Sequence, residues 1–310
     1  MRIVVSLLAV LAVTAACVGS SVSRDQPRPP SVDQDPRTRQ NSIDENETKI
    51  FGGTPVSRGS FADVVAITRA GSRLPECTGT LIAADVVLTA RHCVCDGIAG
   101  SVFFGENAHN ASASTSFVKV HAAKEMVGDL DHIAGRCISP AMKKGRDLAL
   151  LFLQHAVDVQ PRKFAPNAVV DGARGYRAVG FGAVDSSGSV YPDEKREAPI
   201  VATSNNCSGK VNSRADQIVY GCIRNQEIVA GKLSALTDTC NGDSGGPLYV
   251  SSLGIGSAPS ETDYAIAGVT SRATGNSVRN CGDGGVYERI NAAARSWISA
   301  SIESYRSSNR

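Results

Sequence analysis

Aromatic side chains are scarce, at 5% of 310 residues, so aliphatic side chains must fill most of any core. Neither sign of charge dominates: 32 Lys and Arg stand against 30 Asp and Glu. Neither forms a run long enough to build a face for a polyanion, and no nucleic-acid partner is expected. The N-terminal apolar run from Ile3 to Cys17 is roughly 15 residues, short for a stable membrane span. No internal repeat is visible, and a second full domain would not fit comfortably beside one all-β unit. What remains is 42% hydrophobic residues and 30 glycines, the make-up of a turn-rich globular protein.

The N-terminus carries a targeting pattern. Met1-Arg2 precedes the uncharged run, giving the charged head and apolar stretch of a secretory signal over residues 1–16. The run ends Thr14-Ala15-Ala16-Cys17, which resembles a bacterial lipoprotein signal, where the Cys is lipidated and becomes the mature N-terminus. Ordinary signal-peptidase cleavage near Ala15 or Ala16 is the alternative. Nine cysteines are present, and setting Cys17 aside leaves eight, an even set suited to disulfides in an oxidising compartment. That parity favours lipidation at Cys17 and a membrane tether. Residues 17–49 are rich in Pro, Arg, Asp and Ser without apolar periodicity, which reads as a flexible tether or pro-segment.

From Ile50 onward short β-type runs recur between Gly, Asp and Ser: Val64–Ile67, Val86–Leu88, Ser101–Phe104, Leu148–Leu153, Tyr176–Val179, Gln217–Tyr220, Pro247–Val250 and Tyr264–Ala267. Many short strands with frequent turns predict an all-β sandwich or barrel. One helix is expected at the C-terminal end, from Arg289 to about Ile302, with Ile290, Ala294, Trp297, Ile298 and Ile302 as its apolar stripe.

Acyl transfer needs a nucleophile, a base, a group to orient the base, and donors for the oxyanion. Gly242-Asp243-Ser244-Gly245-Gly246-Pro247 sets a serine among glycines, where its hydroxyl can stand exposed while backbone N–H groups converge. The hexapeptide resembles the signature around the active serine of trypsin/chymotrypsin-type serine peptidases. Leu88-Thr89-Ala90-Arg91-His92-Cys93 is similar to that family's histidine box, and Asp147-Leu148-Ala149-Leu150-Leu151 to the segment bearing its aspartate, in the order the family uses. The resemblance runs from Ile50 to about Ser304. It implies two six-stranded antiparallel Greek-key β-barrels with a C-terminal α-helix, occupying residues 50–310. It implies a serine endopeptidase in which Ser244 attacks, His92 is the base and Asp147 orients it, with Gly242 and Ser244 N–H groups as the oxyanion hole.

The same resemblance assigns further residues. Cys77 with Cys93, Cys207 with Cys222, and Cys240 with Cys281 match family disulfides; Cys95 and Cys137 are left and are expected to pair by elimination. Lys49-Ile50-Phe51-Gly52-Gly53 is similar to an activation junction, where cleavage would free an Ile50 ammonium to pair with Asp243, making the translated chain a zymogen. Asp238 resembles the pocket carboxylate that selects Arg or Lys, with Gly285 on the far wall and Ser271 beside Asp147. Departures fall at Arg272, where the family commonly has Trp, and at Ala273, where trypsins have Gly; the first would alter neighbouring subsites and the second narrow the entrance.

His109, His121, His132 and His155 lack the box around His92 and offer no metal-ligand spacing. Asp129 and Asp131 read as solvated loop charges. No metal or cofactor is expected, the partners are protein or peptide substrates, and the expected state is a monomer. The rival reading is a catalytically silent binding protein on the same fold.

Overall fold

The computed structural model describes residues 50–309, apart from 96, 109–116, 127–145, 193, 236 and 254–258, and of Cys95 the backbone alone. Cys17, Lys49, His109, Asp129, Asp131, His132 and the expected Cys95–Cys137 bridge lie outside the described residues.

The chain starts with a two-residue strand, β1 (Thr54–Pro55), and then builds a closed barrel from β2 (Val64–Thr68), β3 (Cys77–Ala83), β4 (Val86–Thr89), β5 (Ser101–Phe103), β6 (Phe117–Glu125) and β7 (Ala149–Leu153). Its neighbours run β2-β3-β4-β7-β6-β5, and β5 returns to β2. The second barrel uses β8 (Gly175–Gly180), β9 (Arg196–Ser204), β12 (Glu227–Ala230), β13 (Pro247–Ser251), β14 (Tyr264–Ala273) and β15 (Gly285–Arg289), with the hairpin β10 (Lys210–Val211) and β11 (Arg214–Ala215) between β9 and β12. Its order is β8-β9-β12-β15-β14-β13, with β13 returning to β8, and β1 pairs with β9 on one side. Both barrels therefore follow one antiparallel pattern, first-second-third-sixth-fifth-fourth, and the fold is all-β, two six-stranded barrels with a C-terminal helix.

The apolar runs fold as strands because a barrel strand loses water on both faces: β2, β4 and β7 are buried at every position. Leu81, Leu88, Leu148, Leu150 and Leu151 have no exposed surface. Aliphatic side chains thus fill much of this core, as the shortage of aromatics requires.

Two expectations need correction. Gln217–Tyr220 is not a strand but most of a short helix, α3 (Asp216–Tyr220). The reason is local: Asp216 turns inward to accept from Ser204 Oγ at 2.6 Å and Gly209 N–H at 2.7 Å, and Gly221 stops the helix in the left-handed region at φ 67°. Ile218, whose β-branch suggested a strand, is 65% exposed. The C-terminal helix, α4 (Ala292–Ser308), begins three residues later than expected and runs further, because Arg289 belongs to β15 and Asn291 caps the helix by accepting from Ala294 N–H at 3.1 Å. Ala294 and Ile298 are buried with the first barrel's core, and Tyr305 stacks on Phe152.

Candidate active site

β4 and β7 lie side by side and antiparallel, with Thr89 opposite Ala149. The residues just past β4 and just before β7 must therefore meet. His92 stands on α1 (Arg91–Cys95), the single turn after β4, and Asp147 precedes β7. His92 Nδ1 lies 2.9 Å from Asp147 Oδ2, and the His92 backbone N–H donates to Oδ1 at 3.1 Å. Ser271 Oγ, from β14 of the other barrel, donates to Oδ2 at 2.7 Å. Burial alone would raise the Asp147 carboxyl, but the His92 charge and the bonds from His92 and Ser271 hold it below its ordinary value. A carboxylate so held fixes the imidazole with its other nitrogen turned toward the cleft.

Ser244 and His92 line the same cavity, about 380 Å³, together with Leu74, Tyr191 and Gly242. Gly245 is required behind the serine: its φ is +82°, and a Cβ there would lie 2.0 Å from Thr89 Oγ1 and 2.4 Å from the Thr78 carbonyl. Thr78 straps the turn, its N–H donating to Ser244 O at 2.8 Å and its hydroxyl to Gly242 O at 2.9 Å. Among the described residues, the N–H groups of Gly242 and Ser244 have no hydrogen-bond acceptor. The arrangement leaves two backbone donors beside one hydroxyl.

Ser244 also borders a second, smaller cavity of about 150 Å³, with Asp238, Thr239, Ala273 and Gly285 in its lining. Ala273 and Gly285 are neighbours across the β14–β15 ladder and lie side by side in this lining. Asp238 is 2% exposed and accepts three backbone N–H bonds, from Gly282 and Gly284 at 2.9 Å each and from Thr239 at 2.8 Å. Burial nevertheless pushes its carboxyl up to about 6.

Asp243 is buried beneath the serine, accepting from Gly182 N–H at 2.8 Å and Cys240 N–H at 2.9 Å. Burial, with the Asp238 charge adding to it, pushes its carboxyl up to about 7. A Cβ at Gly182 would sit 2.4 Å from the Asp243 carboxyl carbon, so only glycine leaves room for the acid. Ile50 has no exposed surface and a φ of +36°, an uncommon conformation for a β-branched residue.

Among the described residues three disulfides are formed, Cys77–Cys93, Cys207–Cys222 and Cys240–Cys281. The first straps β3 to the histidine turn and the last closes the loop around Asp238. The grouping of Cys77, His92 and Cys93 is no metal site, because the two sulfurs are spent on each other. His121 and His155 are exposed and outside both cavities.

Sequence reasoning missed Arg146, Glu227 and Glu288. Arg272 borders the smaller cavity, and its guanidinium grips Glu227 at 2.7 and 2.8 Å and donates to Gly221 O at 2.9 Å and Ser271 Oγ at 3.3 Å. The one signal was an acid in each of two apolar runs, Glu227 before Ile228-Val229-Ala230 and Glu288 after Val286-Tyr287.

Two barrels of the same strand order, with a serine turn from one facing a His–Asp pair from the other, define a serine protease. The sequence profile of the trypsin family matches residues 50–298, and the chain belongs to that family. It is 28% identical over 208 residues to a trypsin-like protease of Streptomyces glaucescens, covering 66% of this chain and 67% of the relative. It is also 28% identical over 210 residues to trypsin I-P1 of Gallus gallus, covering 66% and 75%. With the thrombin-like enzyme ancrod-2 of Calloselasma rhodostoma it shares 27% over 206 residues, 65% and 73% of the two chains.

Proposed function

We propose that the protein is exported as an inactive precursor, cut between Lys49 and Ile50, and then cleaves peptide bonds after Arg or Lys through an acyl-enzyme on Ser244. The 2.9 Å contact of His92 Nδ1 with Asp147 Oδ2, in the cleft that Ser244 shares, carries this reading.

In it, Ser244 Oγ attacks the substrate carbonyl while His92 Nε2 takes its proton. Asp147 keeps the imidazole in the required tautomer and stabilises the imidazolium. The Gly242 and Ser244 N–H groups receive the oxyanion, each worth about 3–4 kcal/mol of transition-state stabilisation. His92 returns the proton to the leaving amine, and water repeats the sequence on the ester. A buried carboxylate at Asp238 favours a substrate ammonium or guanidinium, whose charge offsets its desolvation. The trypsin and trypsin-like names of the relatives point the same way.

Two features support processing. Asp243 has no cationic partner among the described residues, and an Ile50 ammonium would supply one. Cutting the Lys49–Ile50 bond would also free Ile50 from its positive φ. Lys49 itself suits the Asp238 cavity, so the enzyme can perform its own activation. Residues 1–16 act as the export signal, 17–49 as tether and pro-segment and 50–310 as the catalytic domain, with Cys17 lipidated; a diacylglycerol adduct on Cys17 in the mature protein's mass spectrum tests the anchor. The disulfides fit an oxidising compartment.

Hydrolysis of an Arg-aminomethylcoumarin peptide tests the function. The reading expects turnover by the protein with Ile50 at its N-terminus and a loss of at least about a thousandfold in Ser244→Ala; equal turnover by both sinks it.

A further inference from the structure

Glu227 on β12 and Glu288 on β15 face each other directly across the ladder, and neither has exposed surface. Like charges in directly opposite positions repel, and buried ones do so with little screening. Each is met by a guanidinium from elsewhere. Arg272 takes both oxygens of Glu227, and Arg146 donates to Glu288 Oε1 at 3.0 Å.

These pairs converge on Asp147 from two sides. Arg146 is its chain neighbour, and the Asp147 backbone N–H points at Glu288 Oε2 across a long 3.5 Å. On the other side, Arg272 Nη1 donates to Ser271 Oγ, which donates to Asp147 Oδ2. Hydrogen bonds thus run from Asp147 through Ser271 and Arg272 to Glu227 on one side and from Asp147 to Glu288 on the other, and the β12–β15 ladder joins the two ends by setting Glu227 opposite Glu288. Burial and the Glu227 charge push the Glu288 carboxyl up, and Arg146 pulls it down.

We propose that Glu288 and Arg272 are positioning residues for the reaction, holding Asp147 by its backbone and by its carboxylate so that it meets His92. Neither touches the reacting atoms. The inference rests on the reading of Asp147, His92 and Ser244 as a triad, but not on the choice of Arg or Lys substrates. It gives Arg272 a role besides the subsite change expected from sequence, since Arg272 both borders the smaller cavity and bonds to Glu227 and Ser271.

The test is a double-mutant cycle on the processed enzyme, with the rate of Ser244 phosphonylation by a small fluorophosphonate as the readout, together with kcat and KM for the coumarin substrate. Glu288→Gln leaves one acceptor oxygen where two are used, and Arg272→Met removes the donor to Ser271. Each is expected to slow phosphonylation and lower kcat by about tenfold or more, in line with the cost of small misplacements in an active site. KM should stay unchanged in Glu288→Gln, and the downfield His92 Nδ1–H proton resonance should shift or broaden in both. Because one network carries both effects, the double variant should lose much less than the product of the single losses.

Unchanged kcat and phosphonylation with only a lowered melting temperature would overturn the proposal, as would losses that multiply. If Glu288→Gln does not fold, Arg146→Met removes the other side of the same anchor and is expected to give the same loss at unchanged KM; wild-type rates there would also overturn it. Absence of any phosphonate adduct on Ser244 in the wild type would instead remove the triad reading.

Discussion

The backbone N–H of Asp238 donates to the carbonyl oxygen of Phe51 across 2.9 Å, so the chain just past the expected cleavage point is bonded to a residue that lines the smaller cavity beside Ser244. The Phe51 ring lies against Gly282, where a Cβ would come within 2.5 Å of it, and Arg279 lies 5.6 Å from its centroid. Gly282 in turn donates its N–H to Asp238. Phe51→Ala removes the ring that backs this loop. The expected outcome is a severalfold rise in KM for Arg substrates and in the benzamidine dissociation constant, with kcat changed less. Benzamidine titration of the processed protein checks it.

Burial outweighs three backbone donors and pushes the Asp238 carboxyl up to about 6, with no cation beside it among the described residues. Only the ionised carboxylate attracts a substrate cation, so kcat/KM for Arg substrates should fall as pH drops through about 6. Asp238→Ser should cost Arg substrates about a thousandfold in kcat/KM, since the buried guanidinium is left unpaired. Profiles of kcat/KM against pH for both proteins measure this.

Much of the site was legible because it rests on short local patterns. The serine turn, the histidine turn and the aspartate before β7 each occupy a few consecutive residues. The rest depends on register. Glu227 and Glu288 stand 61 positions apart in the numbering, and only the β12–β15 ladder makes them neighbours. Strand β6 was missed since its pattern mixes buried, intermediate and exposed positions with Lys and His among them. The common strand order of the two barrels was invisible because it is a repeat of topology, not of sequence. Gln217–Tyr220 misled because β-branched residues describe a preference that the Asp216 bonds and the Gly221 turn override.

Asp243 gives a stability prediction with a definite sign. Its folded-state pKa, about 7, lies above the ordinary 3.8, so the folded chain holds a proton that the unfolded chain has released. Stability is then present in full below about pH 4 and declines as pH rises toward 7. At about 1.4 kcal/mol per pKa unit, the loss is roughly 4 kcal/mol. An Ile50 ammonium beside Asp243 should remove most of this slope. Urea unfolding of Ser244→Ala at pH 4.5 and 7, uncut and cut in trans after Lys49, should show a gap between the two forms that widens with pH. Parallel slopes would contradict the pairing.

Ala273 and Gly285 are neighbours across the β14–β15 ladder, and both border the gap of the smaller cavity beside Asp238. Removing the methyl group in Ala273→Gly should widen the gap and raise kcat/KM for Arg more than for Lys, since guanidinium is the broader head. Steady-state kinetics on matched Arg and Lys peptides would record a severalfold change in that ratio.

The central claim is that His92, held by Asp147, activates Ser244. Peptide mass spectrometry after fluorophosphonate treatment of the processed protein tests it most directly. One adduct on Ser244, formed at least about a thousandfold more slowly in His92→Ala, is the predicted result. An adduct on another residue, or equal rates with and without His92, would contradict it.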